Sequence, residues 1–382
     1  MRIGLVAGEA SGDLLGAGLI RAIRNRIPDA RFEGVAGPLM KAEGCAVLDD
    51  SETLAVMGLV EPLKVLPRLL KLRKRLVQRW TDDPPDAFVG IDAPEFNLGL
   101  ELRLKKAGVR TVQYVSPQVW AWRQRRVRKI GQAVDRVLCL LPFEKAFYDQ
   151  HGVAADVVGH PLADRLPAVI DRRAERESLG LPDGPVVAIL PGSRAGEVAR
   201  LGGVFAQAAR QLAADVEGLA FVAPMANAHA RQVFSAQLEE WAPELDVMLL
   251  DGDAPRAIIA ADVVLLASGT ASLQTALLER PMVSAYKVAS GTYFLARLLR
   301  LLKVSHFTMP NLLTDEPLVP EFLQHEATPE ALASAVAALL SDAPRRRHIE
   351  TEFSKLSTEL GLNADERAAE SVLDVASLGR EH

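Results

Sequence analysis

The feature that most constrains the fold of this chain is a repeated unit of apolar strand, glycine turn and helix. In its central copy, the β-branched run 186–190 leads into the turn 191–197, and residues 201–214 carry apolar side chains at helical spacing. Strands that alternate with helices in this way are typical of a parallel sheet with helices on both faces. The sequence therefore predicts an α/β architecture.

The alternation continues through both halves of the chain, which at 382 residues is long enough for two domains with separate cores. A charged stretch near 164–182 is interpreted as a linker helix. We expect domains over 1–165 and 166–355, with a helical C-terminal segment over 356–382. Strands are predicted at 2–7, 32–37, 86–91, 111–116, 134–141 and 155–158, and then at 186–190, 220–223, 247–250, 263–267 and 282–286.

Composition and charge argue against several function classes. The net charge of −5 gives no support to nucleic acid binding. Cys45 and Cys139 lie far apart in apolar runs without metal-ligand spacing, which indicates buried, reduced thiols in a cytoplasmic protein. The N-terminus runs directly into a strand, and no apolar run approaches the ~20 residues of a transmembrane helix. We expect a soluble or at most peripheral protein without a signal peptide.

One pair of acids resembles a metal signature. Asp251 and Asp253 flank a glycine in the acid-x-acid pattern of metal-dependent sugar transferases. Asp253 also suits the N-cap of a helix that has Pro255 in its first turn. We therefore predict no metal site, and we expect no cofactor.

The central glycine turn predicts an anion site. Gly192 and Gly196 allow positive φ and close approach of a ligand, beside Ser193. The first N–H groups of the following helix lack internal partners and carry a partial positive charge, and Arg194 adds a planar fork of donors. The alternative is an ordinary strand-to-helix connection in which Arg194 is a solvated surface residue.

Two further glycine turns follow the same pattern. The turn 8–13 lies between a strand and a helix predicted over 14–26, but its glycine spacing is not that of the dinucleotide fingerprint. Ser11 or Asp13 either caps the helix or contacts a ligand. In the turn 267–274, the exposed backbone amides could bind a diphosphate. The side chain of Gln274, one helical turn later, could hydrogen-bond a ribose. The residues concerned are Ser268, Gly269, Thr270, Ala271 and Gln274.

An acid and an aromatic stretch complete the candidate site. Asp92 follows the strand 86–91, and ligands of parallel α/β sheets bind outside the carboxyl ends of strands. With a raised pKa its carboxylate could accept a proton from a substrate hydroxyl, although it could also be a simple helix N-cap. In 117–127, Trp120 and Trp122 lie beside three arginines, among them Arg123, and this stretch either binds a sugar phosphate or buttresses the domain cleft.

Two segments have the pattern of basic amphipathic helices. Residues 64–80 place five leucines and valines and Trp80 at helical spacing, with six lysines and arginines between them. Such a helix can lie on an anionic membrane surface, or it can be a surface helix packed on its own domain. Residues 292–304 repeat the apolar and basic pattern.

Motifs along nearly the whole chain resemble those of the lipid-A-disaccharide synthases, glycosyltransferase family 19, in the family's order. They are GEASGD at 8–13, IDAP at 91–94, YVSPQVWAWR at 114–123, LPFE at 141–144, LPGSR at 190–194, SGTA at 268–271 and PNLL at 310–313. The resemblance implies a GT-B fold, in which two Rossmann-like doubly wound domains face a cleft. The first domain would bind the acceptor and face the membrane, and the second domain would bind the UDP-sugar.

The resemblance also implies a reaction and its residues. UDP-2,3-diacylglucosamine would be joined to 2,3-diacylglucosamine 1-phosphate (lipid X), with inversion, to give a β-1,6 disaccharide 1-phosphate and UDP. Asp92 would be the general base and Arg194 essential near the nucleotide. Substrate contacts would include Glu9, Ser11, Gly12, Asp13, Trp120, Trp122, Arg123, Gly192, Ser193, Ser268, Gly269, Thr270, Ala271, Gln274 and Asn311.

The family further implies a cytoplasmic enzyme that is peripheral to the inner membrane, here through 64–80, and a homodimer that exchanges C-terminal segments. Two positions depart from its pattern: Gln274 stands where the family commonly has Glu, and Glu95 where it often has Asp. Two rival functions remain open at this point. One is a UDP-sugar epimerase of the same fold, and the other is a sugar-nucleotide or lipid-binding protein without catalysis.

Overall fold

The computed structural model describes residues 1–55, 62–117, 119, 124–167, 170–287 and 306–378. Within this part of the chain there are two compact units, which we call the first and second units. The first unit contains Met1–Asp164 and Leu360–His382, and the second contains Arg165–Glu359.

The described part of the first unit is a seven-stranded parallel sheet covered by helices. Its strands are β1 Arg2–Ala7, β2 Arg31–Ala36, β3 Ala46–Asp50, β4 Ala87–Ile91, β5 Thr111–Tyr114, β6 Arg136–Cys139 and β7 Ala155–Val157. Its helices are α1 Glu9–Arg26, α2 Pro38–Ala42, α3 Glu52–Ala55, α4 Pro62–Asp82, α5 Pro94–Lys106, α6 Val127–Ala133, α7 Pro142–Asp149, α8 Pro161–Asp164 and, from the C-terminus, α17 Ala364–Ser377.

The second unit has a six-stranded parallel sheet among its described residues. The strands are β8 Val186–Leu190, β9 Ala220–Met225, β10 Val247–Asp251, β11 Val263–Ala267, β12 Met282–Tyr286 and β13 Glu321–Leu323. The helices are α9 Arg172–Leu179, α10 Ala195–Asp215, α11 Ala228–Trp241, α12 Ala254–Ala260, α13 Thr270–Leu277, α14 Met309–Leu313, α15 Pro329–Ser341 and α16 Ala343–Leu360. The predicted class, with two Rossmann-like doubly wound domains, is confirmed.

Strand order locates the functional edge of each sheet. The first sheet runs β3-β2-β1-β4-β5-β6-β7, so the chain winds outward from β1 and then returns to start again at β4. The second sheet runs β10-β9-β8-β11-β12-β13, and its reversal lies between β8 and β11. In doubly wound sheets, ligands bind outside the carboxyl ends of the strands at such a reversal.

Two edge strands, β3 and β13, were not predicted from the sequence. The central strands β1, β4, β8 and β11 are buried almost throughout, so their residues form the near-continuous apolar runs typical of parallel sheets. By contrast, β3 is largely exposed and ends in two aspartates, and β13 has three residues, the first of them an acid. Neither has the apolar pattern from which a strand is recognised.

The amphipathic helix α4 packs on its own unit. The apolar face formed by Leu69, Leu72, Leu76 and Trp80 is buried against the sheet and α5. The Trp80 ring lies 5.1 Å from that of Phe88, and its indole N–H donates to Glu33. The expectation that this tryptophan lies on a membrane is therefore wrong, because the ring is needed inside the unit. The segment 292–304 lies outside the described residues.

The C-terminal helix α17 completes the core of the first unit. Its residues Ala368, Ala369, Val372 and Val375 are buried in the same cluster as β1 and α1. The carboxylate of Asp164 accepts hydrogen bonds from the N–H groups of Asn363 and Ala364 and so caps this helix from a distance. Exchange of this segment in a dimer stays a prediction.

Candidate active site

The candidate site of the first unit lies at the carboxyl ends of β1 and β4. A Cβ on Gly8 would stand 2.8 Å from the Cβ of Ala93, so glycine is required for the two turns to touch. Gly12 packs on the strand ends less tightly, since its Cβ would stand 3.4 Å from the Cβ of Ala7, an ordinary van der Waals contact. The glycine turn of motif 8–13 therefore packs against the turn after β4, and this contact places Glu9 next to that turn.

Non-glycine residues with positive φ cluster at this edge. They are Glu9 (φ 62°), Asp92 (φ 54°), Ala93 (φ 41°) and Val115 (φ 77°), each one or two residues after the end of β1, β4 or β5. The left-handed region costs non-glycine residues about 1–3 kcal/mol, most of all a β-branched one. Strain of this kind persists where surrounding contacts hold it, and it concentrates at functional sites.

Contacts that hold the backbone of Asp92 come from three directions. Its N–H donates to the carbonyl of Tyr114 at 2.8 Å. Its own carbonyl accepts from the side-chain amides of Asn97 at 2.8 Å and Gln113 at 3.2 Å. The alternative of Asp92 as a helix N-cap is wrong, because Ala93 occupies that position and no side chain caps α5.

The Asp92 side chain is half-buried. Burial raises the pKa of its carboxyl, and the nearby charge of Glu9 raises this pKa further, against a hydrogen bond from the Ala93 N–H that lowers it. A carboxylate with a raised pKa at a strand end is a better proton acceptor than an ordinary surface aspartate.

Asp13 has a different place from the one that the sequence suggested. α1 begins at Glu9 and its N-cap is Gly8, without a side-chain cap, so neither Ser11 nor Asp13 caps it. Instead the buried Asp13 carboxylate accepts from the N–H groups of Gly37, Leu39 and Met40 and so caps α2. We assign Asp13 this structural role, whereas Ser11 is exposed at the site.

Trp120, Trp122 and Arg123 lie outside the described residues. The chain on either side of them is held firmly. On one side, the Ser116 hydroxyl lies 3.1 Å from that of Tyr148, and both residues are buried. On the other, Arg126 binds both carboxylate oxygens of Glu95, at 2.8 and 3.1 Å. Glu95 thus anchors the end of the tryptophan stretch.

A candidate site of the second unit is a pocket of about 370 Å³. It lies at the reversal between β8 and β11 and is lined by the turns that follow these strands, together with residues at the carboxyl ends of β9 and β10. This volume falls in the range of small-molecule sites. The predicted residues that line it are Gly192, Ser193, Arg194, Ser268, Gly269, Thr270, Ala271 and Gln274.

One helix N-terminus in this pocket is already occupied by a carboxylate. Glu197 Oε2 accepts from the N–H groups of Ser193 and Arg194, at 3.2 and 3.3 Å. Gly192, with φ 132°, makes room for it, since a Cβ there would stand 2.7 Å from the Glu197 Cβ. Gly196 lies in the first turn of α10 without positive φ, so that part of the expectation is wrong. The Arg194 side chain is 71% exposed and lines the pocket.

The other N-terminus, that of α13, is open. Its N-cap is Gly269 and no side chain caps it. Gly269 and Thr270 are exposed to the pocket, while the Ser272 hydroxyl turns back to donate to the Gly269 carbonyl. Gln274 lines the pocket one helical turn further on. Of the two termini, α13 therefore offers the better place for a diphosphate.

Asn311 is used by the fold of its own loop. Its buried side chain accepts from the N–H groups of Leu318 and Val319 and donates to the carbonyl of Val319 and to Glu321. Glu321 also accepts from the N–H groups of Phe307 and Thr308. We assign Asn311 a structural role, because its hydrogen-bonding groups are occupied.

Sequence reasoning missed three polar side chains near the site. Asn97 and Gln113 hold Asp92, and Glu197 fills the N-terminus of α10. A signal for the first two was a polar residue within an apolar pattern. For Glu197 the signal was an acid at the third position of a helix, as in a capping box.

Comparison with known proteins places the chain in a family. The model of the Lipid-A-disaccharide synthetase family matches residues 3–375. A lipid-A-disaccharide synthase from Alkalilimnicola ehrlichii is 54% identical over 379 residues, which cover 98% of this chain and 99% of that protein.

Solved structures share the fold at low identity. UDP-GlcNAc 2-epimerase from Neisseria meningitidis, bound to UDP-GlcNAc, has a TM-score of 0.60 at 11% identity and covers 98% of this chain and 100% of its own. The glycotransferase of kitacinnamycin has a TM-score of 0.63 at 16% identity and covers 98% of each chain. These likenesses show the fold alone, whereas the family match covers nearly the whole sequence. The chain therefore belongs to the lipid-A-disaccharide synthetase family, the glycosyltransferases of lipid A synthesis.

Proposed function

We propose that this enzyme transfers 2,3-diacylglucosamine from UDP to the 6-hydroxyl of 2,3-diacylglucosamine 1-phosphate, with inversion at the anomeric carbon. The products are the β-1,6 disaccharide 1-phosphate and UDP. Membership of the family supports the substrate class. The observation that carries the mechanism is Asp92, a half-buried carboxyl with a raised pKa on a strained strand end.

Asp92 is the general base of this proposal. Its carboxylate accepts the proton of the acceptor 6-hydroxyl while the hydroxyl oxygen forms its bond to the anomeric carbon. The bond from that carbon to the β-phosphate oxygen of UDP breaks on the opposite face, and its electron pair leaves with UDP. Asp92 is preferred to Asp13, because the Asp13 carboxylate already accepts three backbone N–H groups.

The second unit binds the donor. The open N-terminus of α13 receives the diphosphate, and Arg194 approaches from the neighbouring turn to stabilise the charge that develops on UDP. Gln274 hydrogen-bonds the ribose through its neutral amide. Ser11 and Gly12, with Trp120, Trp122 and Arg123, contribute to the acceptor side.

A direct test is a turnover assay in detergent micelles with both substrates, for the wild type, Asp92→Asn and Arg194→Ala. We expect Asp92→Asn to lose about 10²–10⁴-fold in kcat, because general base catalysis contributes that much. Arg194→Ala is expected to lose about 10²–10³-fold, as for removal of one charge-stabilising donor. The control is Arg173→Ala, a highly exposed arginine of the second unit. Near wild-type turnover by Asp92→Asn would remove Asp92 from its role.

We also propose peripheral attachment to an anionic membrane through the outer face of α4. Among the described residues no helix is long and apolar enough to cross a bilayer. On α4, Leu66 and Leu70 are 45% and 50% exposed, and Lys71 and Lys74 are exposed beside them. Arg68, Arg75 and Arg79 instead bind neighbours of their own unit. The proposed surface is therefore smaller than the whole helix.

Sedimentation with phosphatidylglycerol vesicles tests this surface. Leu66→Glu with Leu70→Glu should weaken vesicle binding about tenfold or more, the cost of losing roughly one buried leucine, without a change in melting temperature. Leu39→Glu is the matched control, because Leu39 is equally exposed elsewhere on the first unit, at 46%. Equal binding by the double variant and the wild type would contradict the proposal.

A further inference from the structure

Behind the Asp92 turn, inside the first unit, lies a group of polar side chains with no exposed surface. It consists of Asn97 and Glu101 on α5 and Gln113 on β5, all 0% exposed. We call it the buried polar cluster. It is surrounded by the apolar residues of β4, α4 and α5, so each of its polar atoms must find its partner within the protein.

Gly90 on β4 makes the space for this cluster. A Cβ at this position would overlap the Oε1 atom of Glu101 and would stand 2.8 Å from the Cβ of Asn97. Gln113 lies directly opposite Gly90 in the register of β4 and β5, so its side chain shares that face of the sheet. The carboxyl group of Glu101 and the amide groups of Asn97 and Gln113 therefore lie on the same side of Gly90.

The hydrogen bonds of the cluster are unbalanced. The amide nitrogens of Asn97 and Gln113 both donate to backbone carbonyls and converge on that of Asp92. Their amide oxygens, and both oxygens of Glu101, have no hydrogen-bond partner among the described residues. These atoms are all acceptors when Glu101 is ionised, so the cluster lacks a donor.

A proton on Glu101 would correct this imbalance. Burial raises the pKa of its carboxyl well above the ordinary value, and no cation of the described residues is hydrogen-bonded to it. An isolated buried carboxylate is costly, and such a group becomes neutral instead. In the acid form it has one O–H to donate and keeps its remaining oxygen as an acceptor.

We propose that Glu101 is a positioning residue, a neutral carboxylic acid whose O–H donates to the side-chain amide oxygen of Asn97 or Gln113. This bond would fix which way the amide faces and so keep its N–H on the Asp92 carbonyl. A flipped amide would set an oxygen against that carbonyl and release the left-handed turn. The effect on turnover rests on Asp92 being the base, whereas the protonation state of Glu101 does not.

Infrared difference spectroscopy tests the protonation state directly. The wild type minus Glu101→Gln spectrum at neutral pH should contain the C=O stretch of a protonated carboxyl, shifted by hydrogen bonding. Its absence, with carboxylate bands in its place, would overturn the proposal. Because Gln is isosteric and keeps a donor, this variant should fold and retain kcat within about twofold of the wild type.

The positioning role is tested with Glu101→Met, which keeps the volume and removes the donor. Displacement of a catalytic group by about 1 Å can cost roughly a hundredfold. We expect kcat to fall about tenfold to a hundredfold with KM for the UDP-sugar unchanged. A folded Glu101→Met with wild-type kcat would overturn the role, and so would a folded Glu101→Gln as slow as Glu101→Met. If Glu101→Met fails to fold, the spectrum and kcat of Glu101→Gln decide.

A double variant separates this inference from the proposed function. If Glu101 acts through Asp92, adding Glu101→Met to Asp92→Asn should cost no further activity, since coupled residues are not additive. A further tenfold loss would show that Glu101 acts elsewhere. If Asp92→Asn retains full turnover, the proposed base is wrong, and the infrared spectrum still decides whether Glu101 is neutral.

Discussion

At Asp92, the geometry of the backbone and the ionisation of the side chain are coupled. The left-handed turn of Asp92 and Ala93 directs the carboxyl away from the N-terminus of α5, where an aspartate would otherwise serve as a cap. A capping bond to backbone N–H groups would lower the pKa of the carboxyl. In the strained turn, held by Asn97 and Gln113, burial is the largest effect on this pKa, and together with the charge of Glu9 it outweighs the hydrogen bond from the Ala93 N–H.

The first prediction concerns the pH dependence of this residue. A general base must be ionised, so kcat/KM should fall as the pH drops through the raised pKa of Asp92. Glu9→Gln removes one cause of the raised pKa, so the acidic limb of the profile should move to lower pH. Glu52→Gln, an exposed acid of the same unit that is absent from these causes, is the control. An unchanged or upward-shifted limb in Glu9→Gln would contradict the assignment.

Among the elements, the two helix N-termini in the second-unit pocket differ although their sequences look alike. Both follow a buried strand and a glycine turn. α10 carries its own acid at the third position, whereas α13 carries none in its first turn. An intramolecular carboxylate competes with a phosphate for the same N–H groups, so equivalent turns differ in the ligand that they can accept.

The second prediction tests this difference. Glu197→Gln keeps an acceptor for the Ser193 and Arg194 N–H groups and removes a negative charge from the pocket. UDP should bind about fivefold more tightly, since one charge at close range in water is worth about 1 kcal/mol. Glu239→Gln on the exposed face of α11 is the control. Calorimetric titration with UDP measures both, and weaker binding by Glu197→Gln would show that the carboxylate assists the ligand.

At the scale of the whole molecule, the two units are built from the chain in different ways. The second unit is one continuous segment, whereas the first needs α17 from the other end of the chain. The fold itself does not distinguish functions, because an epimerase and a glycosyltransferase share it with this chain at 11% and 16% identity. The family match favours the glycosyltransferase activity, and it gives no support to the alternative hypothesis of an epimerase.

The third prediction tests how α17 is held. Asp164→Ala removes the acceptor for the N–H groups of Asn363 and Ala364, so it should destabilise the first unit by about 1–2 kcal/mol, as for a lost helix cap. Asp171→Ala is the matched control, because Asp171 caps α9 in the second unit. Hydrogen exchange of α17 should accelerate in Asp164→Ala and not in Asp171→Ala. Equal exchange in both variants would mean that packing alone secures the helix.

Much of this architecture could be predicted from local sequence patterns. The strands β1, β8, β11 and β12 begin and end where the apolar runs do, because strands buried on both faces need continuous apolar residues. Glycine turns after β1, β8 and β11 predicted where ligands would bind, and the order of motifs indicated the family. These properties depend on residues that are neighbours in the chain.

Other properties depend on residues that are distant in the chain. Asp13 caps a helix that begins 25 residues later, Trp80 reaches Glu33, and Glu101 meets the strand of Gln113 across Gly90. By itself, the sequence determined the two doubly wound sheets and the turns at their edges. Only the tertiary structure decided which polar groups remain available for substrate, because a buried donor or acceptor pairs with whatever group the fold brings near it.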